Sequence, residues 1–140
     1  MKQVYRRQAR EVALSMLFQM DVGKNDWQMA ELTLENAELD EVNSLFAEQL
    51  ARGAQEKREE LGCVISGFTP SWDLSRMPNV DRNLLLMSCY ELDHFRQTPS
   101  AIIINEAVEL AKAFSTDESA AFVNAVLDKY AKSLNREEQK

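Results

Sequence analysis

Four basic side chains open the chain. Lys2, Arg6 and Arg10 recur every four residues, with Arg7 beside them. Residues four apart stand one turn above each other on a helix, so these three would form a ridge. Guanidinium forks bind phosphate oxygens in pairs, and a row of them can follow a nucleic-acid backbone. The same row could equally be the solvated start of a helix. Net charge over the 140 residues is −7, which argues against a general nucleic-acid binder. The distribution is uneven, however. Residues 1–20 carry the four bases against Glu11 alone, whereas residues 21–60 carry eleven acids against four bases. A basic head on an acidic body fits a localised anion site.

Catalytic groupings are missing. His94 is the single histidine, and it follows Asp93 in a helical stretch with no placed nucleophile, so a structural role is expected. Cys63 and Cys89 have neither CxxC spacing nor a nearby histidine, and read as core thiols rather than a bridge or a metal site. Gly23, Gly53, Gly62 and Gly67 fit no phosphate-binding loop. Glu106 and Glu109 could be paired carboxylates, but a solvated or salt-bridged face is the expected reading. Asp117 and Glu118 sit where a helix start favours negative charge. The chain is therefore read as non-enzymatic, with no cofactor and no metal.

Three further side chains stand out. Phe18 lies half a turn from the apolar stripe of its helix, which means either burial on two sides or an exposed aromatic at a protein interface. Lys112 falls opposite Ile103, Leu110 and Phe114 and should be exposed. Phe122 is at the margin of the last helix's core stripe, with Asn124 beyond it. Core packing is the ordinary role for such a ring, yet an edge aromatic near basic and amide groups also suits unstacked RNA bases.

The elements that must position these groups are helical. Glycine and proline number four and three, and strong helix formers dominate. Ala9, Val12, Ala13, Met16, Leu17 and Met20 make one stripe of a helix over about 3–21. A weaker acidic helix follows over 27–38. Residues 40–66 hold two helical stretches, broken near Gly53 or run together. Pro70 and Pro78 bound a loop with a turn of helix near Leu74. A strong helix over 80–96 contains Leu84, Leu85 and Leu86 in a row, as at the centre of a bundle. Thr98-Pro99 reads as an N-cap with proline at the first helical position, and Ile103, Ala107, Leu110, Ala111 and Phe114 line the helix that follows. Ser115 to Glu118 reads as a capping box opening the last helix. The expected fold is all-α, a compact bundle of six or seven helices in one domain or two tightly packed half-domains. Uninterrupted apolar runs such as Ala101 to Ile104 are far too short to cross a bilayer, and the N-terminus lacks signal-peptide character, so the cytoplasm is the expected location.

Several blocks resemble the NusB family: Arg6-Arg7-Gln8-Ala9-Arg10-Glu11 with Leu17-Phe18; Trp72, Arg76 and Val80-Asp81-Arg82-Asn83-Leu84-Leu85; Tyr90-Glu91-Leu92; Ile104 through Lys112; and Phe122-Val123-Asn124 with Val126-Leu127-Asp128. They occur in family order from residue 6 to 128. The resemblance implies two packed helical subdomains, about 1–66 and 72–134, within one RNA-binding domain, and a role in transcription antitermination. In that role the protein binds the single-stranded boxA element of nascent ribosomal RNA alongside NusE, a ribosomal small-subunit protein, on RNA polymerase. It further implies RNA contacts from Arg6, Arg7, Arg10, Lys112, Phe122 and Asn124, and NusE contacts from Phe18 and Asp81; the basic ridge adds Lys2 to the expected RNA contacts. Three positions depart from the family pattern: Phe18 replaces a usual Tyr, Ala125 a usual Gly and Glu118 a frequent Asp. Two rivals remain. One is a helical protein-interaction module without RNA binding. The other is a stand-alone relative of the RNA-binding domain of ribosomal RNA cytosine methyltransferases, for which no methyl-donor domain follows in this sequence.

Overall fold

The computed structural model describes residues 2–69 and 74–136, and for residues 2–4 and 74 the backbone alone. The described residues form seven α-helices and one 3-10 turn, with no strand. These are α1 (Lys2–Asp21), α2 (Trp27–Asn36), α3 (Glu41–Glu56), α4 (Arg58–Gly67), the turn Leu74–Arg76, α5 (Asn79–His94), α6 (Ser100–Phe114) and α7 (Asp117–Ser133). None is long and apolar enough to cross a membrane. Two compact units divide the chain, Met1–Glu56 and Lys57–Lys140.

In the first unit α1 packs on both α2 and α3. Ala9 and Ala13 on α1, and Ala47, Ala51 and Ala54 on α3, are all fully buried. Such small residues let helix backbones approach closely. Met16, Leu17 and Leu50 fill the remaining space. Asp26 caps α2 by accepting the Met29 N–H at 3.0 Å, and Asp40 caps α3 by accepting the Asn43 N–H at 2.8 Å. A Cβ at Gly23 would lie 2.8 Å from the Gln19 carbonyl oxygen, so the close of α1 requires glycine there. Gly53 does not end a helix. It lies inside α3 between buried Ala51 and Ala54, where packing overrides a propensity cost of about 1 kcal/mol. The break comes at Lys57, whose backbone leaves the helical region at φ −102° and ψ 16°.

In the second unit α5 is the central element and contacts α4, α6 and α7. Leu84, Leu85 and Leu86 are each fully buried, as three consecutive leucines at a bundle centre require. Both α5 and α6 begin after a proline in extended conformation, Pro78 and Pro99, without a side-chain cap. Pro99 thus occupies the N-cap rather than the first helical position, and Thr98 does not cap. Instead the Arg136 guanidinium donates to the Thr98 carbonyl at 2.8 Å, the Phe95 carbonyl at 2.9 Å and the Ser100 hydroxyl at 2.6 Å. The cap of α7 lies one residue later than its sequence signature suggested. Thr116 is extended, and its hydroxyl accepts the Ser119 N–H at 2.9 Å.

Candidate nucleic-acid interface

Helix α1 places its arginines in three different environments. Arg7 is exposed and Arg6 is half-buried. Arg10 is only 3% exposed. The Arg6 and Arg10 guanidinium carbons lie 4.0 and 5.3 Å from the centre of the Phe46 ring on α3. The ridge therefore folds inward onto an aromatic face, where the cations meet the ring's negative quadrupole. The side chain of Lys2 lies outside the described residues. Beside Arg6 runs a groove of about 560 Å³ lined by Tyr5, Arg6, Asp40, Glu41, Val42 and Asn43. Asp40 is held below the usual carboxylate range, first by the Asn43 backbone N–H, then by the Asn43 amide, and also by the Arg6 charge. An anion approaching Arg6 must compete with that carboxylate.

Further along α1, Phe18 is 37% exposed, and Val22 one turn later is exposed too. Leu14, one turn earlier, is buried. Burial on two sides thus ends before Phe18, which opens an apolar patch at the C-terminal end of the helix.

In the second unit, Lys112 on α6 and Asn124 on α7 are both exposed and line one groove of about 550 Å³. Phe122 is half-buried and not among the residues lining that groove. Residues two apart point to nearly opposite sides of a helix, so Phe122 and Asn124 cannot share one contact. Lys112 pairs with Glu109 at 3.8 Å, both side chains about half exposed, a contact that holds neither group strongly. His94 is exposed and lies against the Tyr90 ring, 4.3 Å between centres. Burial pushes the Cys89 thiol well above its ordinary range, as expected of a core thiol, whereas Cys63, read in the same way from the sequence, is exposed on α4. Among the described residues, no group of three His, Cys, Asp or Glu could hold a metal.

A model of the NusB family matches residues 7–132. The chain belongs to the NusB family. It is 42% identical over 137 residues to the transcription antitermination protein NusB of Koribacter versatilis, covering 96% of this chain and 94% of that protein. Identity to the corresponding protein of Symbiobacterium thermophilum is 43%, over 87% of this chain and 86% of that one. Among solved structures, T. maritima NusB superposes with a TM-score of 0.82 at 34% identity, covering 91% and 90% of the two chains. A structure of antitermination factors NusB and NusE in complex with dsRNA shares the fold, with a TM-score of 0.84, 23% identity and coverage of 92% and 97%.

Seen as a NusB-family chain, the molecule corrects several expectations. Arg10 faces Phe46 rather than solvent, because the same i, i+4 spacing that builds a ridge also carries one end of it under α3. Asp81, expected at a partner surface, is 3% exposed, and its Oδ1 is buried without a hydrogen-bond partner. It stands in the first turn of α5, where the helix dipole favours its charge. Glu106 is buried rather than solvated, so Glu106 and Glu109 do not form a carboxylate pair at the surface. Phe114 keeps the register of the α6 core stripe but is 53% exposed, since it is the last residue of that helix. Tyr5 and Asn105 were not singled out by spacing, yet both are exposed on the two grooves. Tyr5 adjoins Arg6 in the sequence, and that adjacency was the available signal. The three departures from the family pattern, Phe18, Glu118 and Ala125, are all exposed, so each acts on surface chemistry rather than on the core. Trp72 lies outside the described residues.

Proposed function

We propose that this chain is a transcription antitermination factor. It binds boxA-type single-stranded RNA of nascent ribosomal transcripts together with NusE, on RNA polymerase in the cytoplasm, without catalysing a reaction. NusB-family membership across residues 7–132 carries the reading. Exposed Arg7, half-buried Arg6, and the Lys112–Asn124 groove supply matching chemistry. Arg7 and Lys112 hold phosphate, while Arg6 is presented by its stacking on Phe46. Arg10 is a positioning residue that fixes Phe46 and, through it, Arg6. Phe122 contributes the edge of its ring from a separate flank of α7. Phe18 with Val22 offers the apolar anchor for NusE, and Asp81 serves as a buried acceptor in the first turn of α5. The acidic body would steer a basic ribosomal protein, so the joint complex holds RNA more tightly than this chain alone.

The test is fluorescence anisotropy of a labelled boxA-like RNA titrated with this protein, with and without NusE. The expected result is sequence-dependent binding that tightens at least tenfold in the joint titration, about 1.4 kcal/mol of coupling. Equal binding to boxA-like and scrambled RNA in both titrations would leave a helical interaction module. The inward turn of Arg6 and Arg10 is the observation that favours this second reading.

A further inference from the structure

The groove on the first unit, about 560 Å³, draws its lining from the start of α1, the start of α3 and the residue before it: Tyr5, Arg6, Asp40, Glu41, Val42 and Asn43. Its volume lies within the range of about 300–1,000 Å³ typical of ligand sites. The proposed RNA contacts do not account for it. Two carboxylates line it against one guanidinium, and that guanidinium is already drawn onto the Phe46 ring, 4.0 Å from its centre. A phosphate would meet an excess of negative charge there, whereas one further cation would leave the groove neutral.

The groove also carries an unmet acceptor. Asn43 is 8% exposed, and its Nδ2 donates to the two Asp40 oxygens at 3.2 and 2.9 Å. Its Oδ1 is buried with no hydrogen-bond partner among the described residues, although buried polar atoms are nearly always paired. Glu41 is exposed and forms no ion pair among the described residues. Acceptors at Asp40, Glu41 and Asn43 thus lack a matching donor, and a guanidinium carries five N–H donors in one plane. Apolar surface flanks them. Tyr5, Val42 and Leu45 are exposed, and Val42, at 66%, is the most open large apolar side chain among the described residues. Val42 and Leu45 stand three residues apart on α3, so they are neighbours on one flank of that helix. An open tyrosine ring can take a guanidinium on its face, as the Phe46 ring already does for Arg6.

We propose that this groove docks a basic segment of a partner protein, with an arginine side chain entering beside Asp40, Glu41 and Asn43. The guanidinium lies on the Tyr5 ring, supplies the donor that Asn43 Oδ1 lacks and neutralises Glu41. Apolar neighbours of that arginine rest on Val42 and Leu45. Charge selects this occupant, because the groove is one cation short of neutral and its unmet hydrogen bonds all call for donors. The site is separate from the Phe18 anchor. Tyr5 and Phe18 are thirteen residues apart on α1, about 20 Å by the helical rise. The chain can therefore hold protein segments at both ends of α1, and the docking needs no RNA.

The experiment is an NMR titration of the isotope-labelled full chain with the capped peptide acetyl-Gly-Arg-Leu-Val-Gly-amide. A second peptide carries citrulline, which keeps the shape of arginine without its charge. Shifts are expected at Tyr5, Glu41, Val42 and the Asn43 side-chain amide, with a dissociation constant of about 1 mM or tighter. The citrulline peptide is expected to bind about tenfold more weakly, since the charge-assisted hydrogen bonds are lost. Glu41→Lys, an exposed substitution, should abolish the shifts, and Tyr5→Ala should weaken binding about threefold. Unchanged signals elsewhere in both spectra establish that the variants keep the fold. Equal binding of the two peptides, undiminished binding in Glu41→Lys, or no shift at these residues would each overturn the proposal. Shifts at Val42 and Leu45 that grow with protein concentration alone would assign the face to a second copy of the chain. Displacement of the bound peptide by a boxA-like RNA would assign it to RNA. Either result would also overturn the proposal.

Discussion

Helix α1 and the α6–α7 pair meet solvent with different chemistry. On α1 two of the arginines are drawn onto the Phe46 ring, and Asp40 lies close enough to share the Arg6 charge. Charge there is fixed in place and partly neutralised. In the α6–α7 groove two exposed amides, Asn105 and Asn124, stand among two carboxylates and one lysine. In the proposed function the first region would give a rigid, salt-sensitive hold on phosphate. The second would offer hydrogen-bonding groups of both charge signs and of none. An acidic chain could then bind RNA without a broad basic face, because attraction is confined to a few cations.

The largest test of that contrast is Phe46→Ala. It removes a buried ring and the face on which Arg6 and Arg10 rest, and should cost about 3–5 kcal/mol in urea unfolding. RNA affinity should fall with it even under conditions where the variant remains folded. Arg10→Ala and Arg7→Ala then separate positioning from contact. Arg10→Ala should destabilise by about 1–3 kcal/mol through lost packing and stacking, whereas Arg7→Ala should stay within about 0.5 kcal/mol of wild type. Arg7→Ala should nevertheless lower the slope of log affinity against log salt by about one. If Arg10→Ala left stability untouched and cut RNA binding instead, the inward-folded ridge would be wrong.

The smallest effect concerns Asp40. Its carboxyl is held below the ordinary value of 3.8 by the Asn43 hydrogen bonds and the Arg6 charge. A depressed folded value means that its stabilising contribution is present above the unfolded pKa and is lost as pH falls through the folded one. Asp40→Ala should therefore lower the melting temperature slightly at neutral pH and bring the variant and wild-type curves together in acid. The same substitution releases Arg6, so RNA affinity at neutral pH should rise or hold. A loss of affinity would show that the Asp40–Arg6 pair orients the arginine rather than restraining it.

Much of the fold was legible because helix signals are local. The α1 stripe, the three leucines of α5 and the proline ahead of α5 each act within a few residues, and the structure keeps them, whereas Pro99 falls one position earlier than its signature suggested. Caps were less legible. Ser115 and Thr116 can both cap, and the difference is one backbone conformation that favours Thr116. The candidate site was legible in part. Lys112 could be placed on an exposed face from spacing alone, and Phe18 was left between two readings that only its exposure in the fold separates. Asn105 was invisible, since a lone asparagine in a helix carries no spacing signal, and only the fold places it on the α6–α7 groove.

By itself, the sequence determined the helical class, the approximate ends of the helices, the basic start and the family, all of which follow from near neighbours along the chain and from residue types in order. The tertiary structure decided which members of each periodic set reach solvent. Arg10 shares its spacing with Lys2 and Arg6, yet Phe46, thirty-six residues away, takes it out of water. Phe114 continues a core stripe, yet the helix ends there and the ring is exposed. Periodicity fixes direction around a helix axis, while burial depends on which other helix passes over that face. That second helix is chosen by packing across the whole unit.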